Sequence, residues 1–169
     1  MDTRTNERLI IPGLGGLYER LDPLAYPMVR VVTGLWLIPH GAQKFGAFGG
    51  DPVQMAGFFS KVGIEPALPM VYAAGVVELL GGLLVAVGLL TRPAAVAAFI
   101  LLAVATFKVH LDAGFFLLNG GYKYAMMWML LMLAVVFKGG DRYSLDGRLG
   151  RAFYSAMLGR RHTNRWREE

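Results

Sequence analysis

Cysteine is absent from the 169 residues of this chain. A chain without thiols has no disulfide bonds, no thiolate metal ligands, no cysteine-held iron–sulfur cluster and no cysteine nucleophile. The absence says nothing about compartment, because such a chain is compatible with either redox environment. It does limit the chemistry that the chain could carry without a partner.

Charged residues are also scarce: they make up 17% of the chain, whereas hydrophobic residues make up 55%. An ordinary soluble domain is about 45–50% apolar and about 25% charged. A chain of this length has no room for a second domain or a very large core in which the apolar excess could be buried. The composition therefore argues against a soluble globular enzyme and favours a protein whose solvent is the lipid bilayer.

Four apolar stretches approach the roughly 17–25 residues that a membrane-spanning helix needs. They run over about residues 26–45, 68–90, 93–110 and 122–137. The fold class that we predict is all-α: an integral membrane bundle of four antiparallel helices.

This membrane domain is expected over residues 25–138, after an N-terminal segment of residues 1–24 and before a basic tail of residues 139–169. Proline and glycines at residues 12–16 predict a loop with one short interfacial turn or helix over residues 9–24. No hydrophobic stretch follows the first residues closely enough to indicate a cleaved signal peptide.

A short helix is predicted over residues 52–62, between the first two spans. Asp51 suits its N-cap, Pro52 its first position and Gly63 a left-handed position after its end. One helical face carries Met55, Phe58, Phe59 and Val62. Such an amphipathic helix would lie on the membrane surface or fold over the bundle.

Basic residues give the chain a formal net charge of +5. If four helices alternate in direction, the N-terminal arginines, Arg92 and the arginine-rich tail from Arg142 onward fall on one side. The positive-inside rule then predicts a multi-pass protein of a bacterial or archaeal inner membrane with both termini in the cytoplasm. The tail is expected to contact anionic lipid head groups. It has no nucleic-acid-binding motif, so nucleic acid is not an expected partner.

Ionisable residues inside or at the ends of the spans are the candidate functional groups, because charge within lipid is costly. They are Arg30, His40, Lys44, Glu78, Lys108 and His110. Glu78 is the strongest of them, since a carboxylate in mid-span needs a partner or a proton. At the predicted depths, most of these groups converge on one outward-facing polar pocket with Trp36 and Trp128 nearby. A simpler interpretation stays open, in which the cationic side chains extend to the interfaces and His110 caps a helix.

Four short motifs make the sequence resemble the DoxX family of four-helix membrane proteins over roughly residues 26–146. They are Arg30-x3-Gly34 with His40-Gly41-x2-Lys44, then Glu78-x2-Gly81-Gly82 with Gly88-Leu89-Leu90-Thr91-Arg92-Pro93-Ala94-Ala95, then His110, and finally Arg142-Tyr143-Ser144-Leu145-Asp146. Their order and spacing are more specific than any one of them alone.

Two positions depart from the pattern of that family. The segment Gly139-Gly140-Asp141 stands where the family commonly has Gly-Pro-Gly, and Lys123 stands where many members have glutamate. If that acid takes part in proton transfer or cation binding in relatives, Lys123 does not do the same here.

The resemblance implies an association with quinone-linked oxidoreductase complexes, since relatives include a membrane subunit of a thiosulfate:quinone oxidoreductase. On this hypothesis the chain is a quinone-interacting subunit in which Glu78 and His40 act in catalysis. The predicted quinone- or ligand-binding residues are Arg30, Trp36, Lys44, Lys108 and His110. The sequence has no flavin fingerprint, haem pair, iron–sulfur ligands or metal site, so a partner subunit is expected to bring the redox centre.

Two other functions stay open at this point. In the first, the chain is a non-catalytic membrane anchor or assembly factor whose polar residues hold the helices together. In the second, it is a small-anion transporter that uses a cationic outer pocket, which a homo-oligomer would make more plausible. The resemblance supports the fold more strongly than it supports any one of these functions.

Overall fold

The computed structural model describes residues 11–151, and within that range the chain is helical and contains no strand. The α-helices are α1 (Gly15–Gln43), α2 (Pro52–Lys61), α3 (Ala67–Val76), α4 (Gly82–Val87), α5 (Thr91–Val104) and α6 (Lys123–Lys138). Predictions for the first ten residues and for the tail beyond Arg151 lie outside the described residues.

Two π-helical turns extend these α-helices into longer ones. The turn Val77–Gly81 joins α3 to α4, and together they form one helix, Ala67–Val87. The turn Ala105–His110 continues α5 into the longer helix Thr91–Ala113. Among residues 11–151, these two composite helices have the length and apolar composition to cross a membrane.

The sequence predicted a loop with one short turn or helix over residues 9–24, but helix α1 begins at Gly15 and continues to Gln43. Gly15 and Gly16 occupy only the first turn, where the backbone amides have no intrahelical partner in any case. Apolar residues then follow with helical spacing at Leu17, Leu21 and Leu24, a repeat that the neighbouring glycines and prolines obscured. The other three long helices begin within about two residues of their predicted starts.

Glycines bring α1 into backbone contact with helix Ala67–Val87. A Cβ atom on Gly34 would lie 2.5 Å from the Gly82 carbonyl oxygen, and one on Gly41 would lie 2.5 Å from the Leu79 nitrogen. Close approach through small residues is the usual way in which membrane helices associate.

The hydrophobic core lies among α1, α4, α5 and α6. Its most deeply buried side chains are Leu37, Val85, Ala95, Ala98, Met132 and Val135. This core holds the four helices together in the middle of the protein. The polar residues lie toward its two ends.

Helix α2 has the ends that its sequence predicts. The Asp51 carboxylate accepts hydrogen bonds from the backbone amides of Val53 and Gln54, and Pro52 is the first helical residue. Gly63 adopts a φ of +69° beyond the end of the helix. Helix α2 packs against α3, which places its phenylalanines beside the site described next.

Candidate functional site

A cavity of about 490 Å³ opens near the carboxyl end of α1. Ligand sites in proteins commonly have volumes of about 300–1,000 Å³ and are mostly apolar with a few polar groups. Apolar side chains from α1, α2, both composite helices and α6 form most of its wall. Its ionisable lining residues are His40, Lys44, Glu78 and His110.

Lys44 and Glu78 form an ion pair in the wall of this cavity. The Lys44 Nζ lies 2.5 Å from the Glu78 Oε2, and both side chains are at least 85% buried. Lys44 also donates to the backbone carbonyl of His40, at 3.3 Å. The sequence predicted that Glu78 needs a partner or a proton, and Lys44 is the partner.

The backbone around Glu78 is itself unusual. Glu78 lies in the π-helical turn Val77–Gly81. Such a turn contains one more residue than an α-turn and is often found at functional sites. Periodicity calculated for a regular α-helix misses this local change in side-chain direction.

His110 lies in the second π-helical turn, at the end of the long helix that begins at Thr91. Its Nδ1 lies 2.6 Å from the Gly120 carbonyl oxygen. A carbonyl oxygen only accepts hydrogen bonds, so Nδ1 is the donor and carries a proton. This bond fixes the orientation of the imidazole at the cavity wall.

Aromatic residues form a further part of the wall. Trp128 of α6 lines the cavity with Tyr124, and their ring centroids are 5.8 Å apart. The Trp128 side chain is buried, and its Nε1 has no hydrogen-bond partner among residues 11–151. Trp36 packs on Trp128 at a centroid distance of 6.4 Å but is 54% exposed and does not line the cavity.

Lys108 lies at the edge of this region and is exposed. Its ammonium group is near the turn that follows α2, since a Cβ atom on Gly63 would be 3.7 Å from the Lys108 Nζ. Of the seven predicted site residues, the structure thus brings four together in one cavity. It places Trp36, Lys108 and Arg30 elsewhere.

Arg30 lies midway along α1, beside the C-terminal end of α4, and is only 1% exposed. Its Nη1 donates to the backbone carbonyls of Val85 and Ala86, both at 2.6 Å. Its Nε lies 2.9 Å from the Asp141 Oδ2. Arg30 therefore joins α1, α4 and the segment after α6. Nothing in the sequence had indicated Asp141 as its partner. Asp141 is also one of the two departures from the family pattern.

The segment from Asp141 to Asp146 caps the start of α5. The Asp146 carboxylate accepts hydrogen bonds from the amides of Leu90 and Thr91, each at 2.8 Å, and from the Thr91 hydroxyl, at 2.6 Å. Burial by itself would raise the pKa of Asp146, but hydrogen bonds from Thr91 and Leu90 and the Arg30 charge lower the pKa below its ordinary value. The motif that ends the family resemblance thus holds the helix ends together.

Side chains of α2 are the part of the cavity wall that sequence reasoning did not include. Phe58 and Phe59 both line the cavity. The predicted amphipathic face already contained these residues, but the pattern did not show what that face covers. Only the fold places them in the wall of the same cavity as the ion pair.

Comparison with known proteins gives the family of the chain. Residues 26–111 match the family model DoxX. An "Uncharacterized protein" of Haemophilus influenzae is 35% identical over 133 residues, which cover 77% of this chain and 94% of that protein. The chain therefore belongs to the DoxX family, as its motifs indicated.

Two further relatives carry more informative names. An "Uncharacterized membrane protein" of Mycobacterium tuberculosis is 34% identical over 83% of this chain and 90% of its own length. A Bacillus subtilis protein named "Putative oxidoreductase CatD" is 34% identical over 69% of this chain and 79% of its own length. No solved structure matches the chain. The family and the two apolar helices together identify a membrane protein.

Proposed function

We propose that this DoxX family protein is a membrane subunit of a quinone-linked oxidoreductase system and that the cavity binds the quinone. The observation that carries the proposal is the largely apolar cavity with the Lys44–Glu78 ion pair in its wall. The name of the Bacillus subtilis relative supports the oxidoreductase class. Because apolar side chains form most of the cavity wall, a lipophilic ring and tail fit it better than a polar metabolite does.

The proposed arrangement in the membrane has four spans: the part of α1 from about residue 26 onward, Ala67–Val87, Thr91–Ala113 and α6. Helix α2 would lie at the outer interface, and both termini would face the cytoplasm of the inner membrane. The contacts of Arg30 and Asp146 support this arrangement, because they bring the end of α4, the start of α5 and the segment after α6 together beside the middle of α1. Basic residues at that same end, including Arg92 and Arg142, agree with the positive-inside rule.

The donor and acceptor groups of the wall suit a quinone. A quinone, when bound, supplies a site that takes up two electrons and two protons. The Lys44 ammonium has a third N–H beyond its bonds to Glu78 and the His40 carbonyl, and it would donate to a quinone oxygen. The Glu78 carboxylate would hold or release a proton at its oxygens, beside His40. The electrons would come from a reduced flavin or iron centre of a partner subunit.

An anion-transport function receives less support from the geometry. Lys44 is the one lysine or arginine that lines the cavity in the part of the chain described, and Glu78 neutralises it. Arg30 is likewise paired, with Asp141. A pathway for anions would need cationic groups that are not already matched by carboxylates.

Quinone binding by the purified protein in lipid nanodiscs tests the proposal. A benzoquinone with a decyl tail should quench tryptophan fluorescence in a saturable way, because Trp128 lines the cavity. The Lys44→Met variant should bind at least about tenfold more weakly, as loss of a charged hydrogen-bond donor predicts. Lys108→Met is the matched control, since Lys108 lies outside the cavity, and its affinity should equal that of the wild type.

Two results would contradict this function. Absence of saturable binding by the wild-type protein would remove the quinone site. Purification from native membranes with a stable partner but no quinone would instead support the role of a non-catalytic anchor.

A further inference from the structure

His110 offers its two ring nitrogens to different surroundings. Nδ1 is bonded to the Gly120 carbonyl, at 2.6 Å, and so carries a proton. The residue also lines the cavity. The ring nitrogen that is left for a ligand is therefore Nε2, which in the neutral imidazole is an acceptor and not a donor.

No group in the described part of the chain donates to this Nε2. The other polar groups that face the cavity are His40 and Lys44 from α1, Glu78 from helix Ala67–Val87 and Tyr124 from α6. Lys44 and Glu78 are bonded to each other. His110 thus contributes to the cavity lining an imidazole that is oriented by a backbone bond and whose Nε2 has no hydrogen-bond partner within residues 11–151.

Backbone hydrogen bonds hold the loop that contains Gly120. The amide of Gly121 donates to the Phe116 carbonyl, and the amide of Tyr122 donates to the Gly114 carbonyl. A Cβ atom on Gly121 would lie 2.2 Å from the Gly114 oxygen, so the loop closes tightly at this point. The Gly120 carbonyl is consequently held in place beside the end of the long helix.

Building on the quinone site described above, we propose that the His110 Nε2 accepts a hydrogen bond from a ligand hydroxyl. The carbonyl oxygens of a quinone only accept, whereas the hydroxyl groups of the reduced hydroquinone donate. His110 therefore makes the cavity selective for the hydroquinone over the quinone. A single hydrogen bond of this kind corresponds to about a five- to tenfold difference in affinity.

The test compares the affinities of both ligand forms under anaerobic conditions at pH 8. The probes are the decyl benzoquinone and its hydroquinone, bound to the full-length protein in nanodiscs. The wild type should bind the hydroquinone about five- to tenfold more tightly than the quinone. His110→Asn keeps an amide donor for the Gly120 carbonyl but removes Nε2, so the two affinities should become equal.

Two further variants separate this role from a structural one. His110→Gln places an amide oxygen nearer the position of Nε2, and we expect it to recover part of the selectivity. Lys108→Met changes a residue outside the cavity and should leave the selectivity unchanged. Imidazole ¹⁵N spectra should show the protonated Nδ1 and unprotonated Nε2 in His110 and should lose that signal in His110→Asn.

The possible outcomes distinguish this inference from the proposed function. If the wild type binds both forms with equal affinity, or if His110→Asn keeps the selectivity, the role of His110 is wrong while the quinone site stands. A spectrum with the proton on Nε2 would also overturn that role. If the wild type binds neither form, the quinone site and the role of His110 both fail.

Discussion

The Lys44 ammonium and the Glu78 carboxylate are in contact across the interface between α1 and helix Ala67–Val87, with 2.5 Å between Nζ and Oε2. Beside this pair, the two helices meet through glycines at the backbone level. The ion pair therefore closes the end of a tightly packed helix interface. It is part of the cavity wall and part of the helix contact at the same time.

Breaking this pair from one side should be costly. We expect Lys44→Met and Glu78→Leu each to lower the free energy of unfolding by about 3–5 kcal/mol, because each leaves an uncompensated buried charge. The double variant should be less destabilised than the sum of the two single variants. Reversible unfolding of the four proteins in detergent, analysed as a double-mutant cycle, measures this coupling. Additive effects would show that the contact contributes nothing to stability.

The glycine contacts of α1 give a second prediction. Gly41→Ala should destabilise the protein by about 1–3 kcal/mol, because a methyl group there would overlap the backbone at Leu79. Gly16→Ala is the matched control, since nothing lies within 4 Å of a Cβ atom at that position. This control should be neutral or stabilising, because alanine favours the helix. Equal losses of stability in both variants would disprove close packing at Gly41.

Arg30 should matter for stability but not for ligand binding. Arg30→Lys removes the forked geometry that reaches two backbone carbonyls and Asp141, so we expect a loss of about 2–4 kcal/mol. The affinity for the decyl benzoquinone, measured below the unfolding temperature, should stay within about twofold of the wild type. A large drop in affinity without a drop in stability would restore Arg30 as a ligand-binding residue.

The Asp146 cap predicts a pH dependence of stability. The pKa of Asp146 is lower in the folded protein than its ordinary value, so the folded state binds fewer protons at this group. The contribution of Asp146 to the free energy of unfolding is fully present at pH values above the pKa of this group in the unfolded chain. It is lost as the pH falls through the pKa of this group in the folded protein. Asp146→Asn should cost about 1–2 kcal/mol at pH 7, because the amide nitrogen cannot accept the hydrogen bonds that one carboxylate oxygen accepts from Thr91.

Thermal unfolding measured between pH 7 and pH 3 checks this dependence. The difference in stability between the wild type and Asp146→Asn should shrink toward acidic pH. Asp22→Asn alters an exposed carboxylate of α1 and serves as the control with no such trend. A difference that stays constant with pH would mean that the charge of Asp146 does not contribute to the cap.

The sequence predicted those features that depend on local chemistry. Asp51, Pro52 and Gly63 fix the two ends of α2 through hydrogen bonds and backbone angles close in sequence, and they were identified correctly. The apolar stretches located three of the long helices, because the length of such a stretch is also a local property of the sequence. Glu78 was recognised as needing a partner because the cost of a buried charge does not depend on the fold.

Features that arise from contacts between distant residues could not be predicted. The pairing of Arg30 with Asp141 joins positions 111 residues apart, and nothing in the local pattern around Asp141 indicates it. The two π-helical turns are likewise invisible to a regular helical repeat, although they carry Glu78 and His110. The structure places Arg30 away from the cavity. The predicted depths had only indicated that most of the ionisable residues converge on one pocket.

The pairing of Arg30 with Asp141 also has a consequence for the order in which the chain assembles. Synthesis runs from the N-terminus, so Arg30 emerges long before Asp141 has been made. Until then, this buried guanidinium has only backbone carbonyls of α4 as acceptors and no carboxylate to balance its charge. Charge neutrality inside the helix assembly is reached only when the last long helix is complete, so a chain truncated before Asp141 would retain an unbalanced charge in α1.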